Sequence, residues 1–133
     1  MYIVFNMNEK RIKEKLNQIK IEDYIWIIYI GIIILSFYSN YLESNYFKYN
    51  DIYSKEKYQK IMIFIFSILV IVYYYFLDSS YKDFKGLKEY DTDKKKILVS
   101  LSFLGSLFIF VSGVIFLYIA LNDESLDVEI AFN

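Results

Sequence analysis

Asp91 and Asp93 stand two residues apart, with Thr92 between them. Paired carboxylates at this spacing can hold Mg²⁺ against a diphosphate, because a hard cation prefers oxygen ligands. Little else in the chain could do chemistry. Histidine and cysteine are both absent, which removes the commonest general base and the thiolate nucleophile. Asp91 and Asp93 lie in a connection of 19 residues, too short for a nucleotide-binding fold. The same residues directly precede an apolar run, where Asp or Thr caps a helix N-terminus. The cap is therefore the preferred reading. Asp123, Glu124, Asp127 and Glu129 near the end of the chain could attract Ca²⁺. They lack the glycine and ligand spacing of a calcium loop. The sequence assigns no catalytic residue, cofactor or metal site, and points to a protein that is not an enzyme and has no evident small-molecule substrate.

The elements that would position any site are three apolar runs without a charged side chain, at residues 24–42, 61–77 and 97–121. About 20 apolar residues in a helix cross the roughly 30 Å hydrocarbon core of a bilayer. The second run has 17 residues and would rise about 26 Å; the third has 25 and would rise about 37 Å, so it should tilt or protrude. The chain is 56% hydrophobic and 21% aromatic, yet 23% charged. These values coexist because the charges are confined to the connections and ends. A soluble bundle would carry a charged stripe along every helix, and that stripe is missing. The expected fold is all-α: one membrane domain with three transmembrane helices and a short N-terminal amphipathic helix.

That leading helix is expected over residues 8–23, where Ile12, Leu16 and Ile19 recur at helical spacing among Lys and Glu. Such a segment suits the membrane surface or a packing role. Met7 is an alternative start just before it. The first span reads as a retained signal anchor, because no small-residue cleavage site follows it. Residues 43–60 and 78–96 read as polar linkers, and residues 122–133 as an acidic tail. Val128, Ile130 and Phe132 alternate with Glu129 and Ala131, so the tail either docks as a short strand or stays solvated.

Lysine and arginine near the spans predict orientation. The head carries 5 and the second linker 6, against 4 in the first linker and none in the tail. The head and second linker are expected in the cytoplasm, the first linker and tail outside. A bacterial inner membrane is the default location, with viral and organellar membranes as alternatives. The net charge of −1 gives no reason to expect a nucleic-acid partner.

Two sets of residues are candidates for contact. Ser102, Gly105, Ser106, Ser112, Gly113 and Ala120 give the third span a face of small side chains, which lets helix backbones approach closely. Tyr24, Trp26, Tyr38, Tyr41, Tyr73, Tyr74 and Tyr75 are placed to anchor span ends at the headgroups. Lys94, Lys95 and Lys96 are placed to hold anionic lipid. No Asp, Glu, Lys, Arg or His lies inside a run, which argues against a proton relay. The leading expectation is a structural or accessory component of the lipid bilayer that acts through helix–helix contacts. Its third span would meet a second copy or a larger membrane protein. The alternative is a self-assembling, holin-like permeabilising protein.

Overall fold

The computed structural model describes residues 2–128 and 130, with side chains from residue 8 onward. The described residues form α1 (Tyr2–Tyr49), α2 (Ile52–Lys85) and α3 (Asp93–Asn122), with no strand among them. All three helices contain a stretch long and apolar enough to cross a membrane. The fold is therefore all-α, and the length and composition of its helices fit a multi-pass membrane protein.

The helices outrun the apolar runs. No break separates residues 8–23 from the first run, because α1 is continuous through both. Most of residues 43–60 and the first part of residues 78–96 are also helical. Lys, Glu and Gln are good helix formers, and there is no proline to stop them. Asn50 and Asp51 alone separate α1 from α2. Asn50 takes φ 53° and its N–H donates to the Tyr46 carbonyl at 2.8 Å. Asparagine tolerates this left-handed conformation better than most residues. Asp51 then caps α2, with Oδ1 accepting from Tyr53 N–H at 3.1 Å and Oδ2 from the Ser54 hydroxyl at 2.8 Å.

The α2–α3 loop, residues 86–92, is closed by its own polar groups. Lys88 N–H donates to Asp91 Oδ2 at 2.7 Å, and Lys95 Nζ meets Asp91 Oδ1 at 3.1 Å. Of the three candidate caps, Asp91, Thr92 and Asp93, Thr92 takes the position: its Oγ1 accepts from Lys95 N–H at 3.1 Å. Asp93 follows in the first turn of α3, where a negative charge suits the helix dipole.

The chain divides into two compact units, Met1–Leu35 and Ser36–Asn133. Within the first, Ile25 and Ile32 are buried, while Ile12, Leu16 and Ile19 are exposed. Trp26 and Tyr29 meet edge to face there, with centroids 5.7 Å apart. The second unit is built on antiparallel packing of α2 and α3. Phe66 packs on Phe116, Tyr74 on Phe110, and both Tyr81 and Phe84 on Phe103, with centroids 5.3–6.0 Å apart. Met62, Ile65, Phe66 and Leu69 of α2 are nearly inaccessible to solvent and form the densest part of the core.

Candidate functional site

On α3 the shielded positions include Phe103, Ser106, Phe110, Gly113, Leu117 and Ala120. They alternate at spacings of three and four, the pattern of a seam between two helices. They also alternate in size, a large residue followed by a small one. A Cβ at Gly113 would lie 2.9 Å from Tyr73 Cδ2 and 3.5 Å from Val70 Cγ2. The Tyr73 ring occupies the space that the missing side chain leaves.

The small-residue face expected from the sequence is thus two stripes. Ser106, Gly113 and Ala120 are shielded in the seam with α2. Ser102, Gly105 and Ser112 are exposed, and a Cβ at Gly105 would meet nothing within 4 Å. At 100° per residue, this second stripe is centred about 100° round the helix from the seam. Much of α3 is uncovered: only 11% of its most apolar window is buried, against 28% for α2.

The anchor residues also separate. Tyr73 is half-buried against Gly113, so its ring serves the seam. Tyr74 is exposed while touching Phe110, and Tyr75 packs on Phe76 at 5.4 Å. Tyr24 and Trp26 are exposed. Tyr38 and Tyr41 stack with centroids 6.4 Å apart. Lys57 Nζ lies 5.1 Å from the Tyr38 ring centre and 5.8 Å from that of Tyr53. The hydrogen bond with Tyr38 holds the Lys57 ammonium above the ordinary lysine range. Of the lysine triplet, Lys94 is exposed, Lys95 pairs with Asp91, and Lys96 Nζ donates to the Glu89 carbonyl at 3.0 Å.

The described part of the tail, residues 122–128 and 130, is held by several polar and apolar contacts. Gln59 Nε2 donates to the Asp123 carbonyl at 2.7 Å. Asp123 Oδ2 accepts from Val128 N–H at 2.9 Å, and Ser125 Oγ donates to Asp127 Oδ2 at 2.6 Å. Leu126 turns the chain with φ 58°. Ile130 is buried, beside a small cavity that it lines with Tyr58, Met62 and Ala120. An open cleft of about 220 Å³ adjoins it, lined in part by Glu43, Phe47, Tyr58 and Asp127. Among the described residues no group of three carboxylates is placed to hold a metal ion. Glu129, Ala131 and Phe132 of the expected alternation lie outside the described residues. The sequence clue to this end was the apolar alternation that includes Val128 and Ile130 in an acidic segment.

The fold and its uncovered apolar surfaces define a small all-α chain built from three helices of membrane-crossing length. No family model, curated protein or solved structure matched it.

Proposed function

We propose that this chain is a small, non-enzymatic membrane component that works through helix–helix contacts, with Ser102, Gly105 and Ser112 of α3 as its contacting stripe. The observation that carries this reading is the open space at Gly105. Small residues let a second helix approach closely, and serine hydroxyls can bond across such a contact. α2 uses the other small stripe and leaves this one uncovered. The partner is a second copy of the chain or a larger membrane protein. Extraction in mild detergent followed by native mass spectrometry tests it. A defined complex is expected for the natural chain and for Gly105→Ala, and its loss for Gly105→Ile. A monomer that carries no other subunit refutes the reading.

Placement belongs to the same proposal: a bacterial inner membrane, with the N-terminus in the cytoplasm and the tail outside. The orientation is supported by 11 lysines and arginines in the head and second linker against 4 in the first linker. The chain has no cysteine, so Ser125→Cys introduces a unique label site. An impermeant maleimide should reach it from outside in intact cells; reaction only after lysis reverses the orientation.

A further inference from the structure

The apolar runs of α2 and α3 are level at one end and far out of step at the other. Gln59 bonds to Asp123 at the level end, just outside both runs. At the opposite end, Phe103 packs between Tyr81 and Phe84, beyond the last residue of the α2 run. In this antiparallel register Leu77 stands beside roughly residue 107 of α3. At 1.5 Å per residue, the α3 run extends about 15 Å past the end of the α2 run. Over that length α2 carries Asp78, Lys82, Asp83 and Lys85, and Lys82 is 74% exposed. At the same level α3 exposes Leu98 and Leu101, at 55% and 56%.

A flat bilayer edge cannot suit both helices. An edge at Leu77 leaves several large apolar side chains of α3 in water, which the hydrophobic effect opposes. An edge at Ile97 takes four charged groups of α2 into hydrocarbon, which desolvation opposes. We infer that the lipid boundary is stepped: acyl chains cover α3 to the level of Leu98 and Leu101, while water reaches α2 to the level of Lys82. The ligand of this surface is thus the lipid leaflet at the end of loop 86–92, held thin beside α2 and thick beside α3. Bilayers adapt in this way to spans of unequal length. Lipid is favoured as occupant because exposed Ile97, Leu104, Phe108, Val111 and Ile115 form a continuous apolar face of α3 on the side away from the Ser102, Gly105 and Ser112 stripe. Lys94, Lys95 and Lys96 stand where that surface ends.

The inference rests on the reading that the helices cross a bilayer, so the test includes control sites at mid-helix. Single cysteines replace Leu104, which faces away from the Ser102, Gly105 and Ser112 stripe, or Lys82, within about two residues of the same level, or Ile71 or Ile115 as controls. Ile97→Cys and Lys85→Cys form a second pair in case either first variant misfolds. Each full-length variant is spin-labelled, reconstituted in dioleoylphosphatidylcholine vesicles, and probed for collision with oxygen and with a water-soluble nickel chelate. Oxygen should dominate at 104 and the nickel chelate at 82, with oxygen dominant at 71 and 115. Nickel access at both 104 and 82, or at neither, overturns the step. Protection of 104 from both reagents means a protein contact on this face and also overturns it. Nickel access at 71 and 115 instead defeats the membrane-spanning reading itself.

Discussion

Tyr73 and Gly113 fit each other as ring and gap: a methyl at Gly113 would stand 2.9 Å from Tyr73 Cδ2. Gly113→Ala should therefore lower stability by about 1–3 kcal/mol, the usual cost of overpacking. Gly105→Ala, in open space, should be neutral or gain up to about 1 kcal/mol from helix propensity. Thermal melting in one detergent reads both. Adding Tyr73→Leu to Gly113→Ala should recover part of the loss. Equal melting temperatures for the two alanine variants would dissolve the distinction between the stripes.

Asp51 makes the sharp reversal after Asn50 affordable by bonding the free amides and the hydroxyl of the first turn of α2. Asp51→Ala should cost about 1 kcal/mol and Asp51→Asn or Asp51→Ser much less. Denaturant titration followed by helical circular dichroism separates them. An Asp51→Ser variant as unstable as Asp51→Ala would show that charge, not hydrogen bonding, sets the cap.

Ile130 holds the tail down. Ile130→Asp should release it and speed exchange of the Val128 amide, which donates to Asp123 Oδ2. Amides in the middle of α2 and α3 should keep their protection. Hydrogen exchange by mass spectrometry reads both regions. An unchanged Val128 amide would mean that the local turn persists without its apolar anchor.

Acid should open loop 86–92. The hydrogen bond from the Lys88 amide, the largest effect, holds the Asp91 carboxyl below the ordinary aspartate range; desolvation opposes it, and the Lys95 ammonium adds to the lowering. A carboxyl depressed in the fold stabilises it above the unfolded value of about 3.8. That contribution disappears as pH falls through the lower folded value. Lys82 has the opposite sign. Asp78 raises its pKa through their 3.0 Å pair, so its small contribution is lost in strong alkali. The Lys88 amide shift should titrate in acid in the natural chain and stay flat in Asp91→Asn.

Hydropathy made the three helices legible, because an apolar run needs no tertiary contact to be recognised. It did not mark their ends. Lys48 lies within α1, and Asp78 and Lys82 within α2, since charged residues leave a lipid-length run without leaving a helix. A cap within residues 91–93 was readable from the apolar run that follows, but which of the three residues provides it was not. The division of small residues between two stripes was not. Ser106 and Gly105 are equally small, and only the position of α2 separates a shielded one from an open one. The contact of Tyr73 with Gly113 was hidden for the same reason: an aromatic near the end of an apolar run reads as a headgroup anchor, and its partner in the seam shows only once α3 is in place. The tail escaped because its order depends on Gln59, which is 64 residues from Asp123 in sequence.

The alternation of large and small residues along α3 repeats every seven positions, so a slip of one heptad would again set a small residue of α3 against the Tyr73 ring. Three alignments of the pair would then compete, with Tyr73 opposite Ser106, Gly113 or Ala120. Only the middle one offers it a residue without a Cβ. Tyr73 thus works as a key and Gly113 as the one lock of the three without a Cβ, and that absent methyl group joins the Gln59–Asp123 bond in setting where two greasy helices stop sliding.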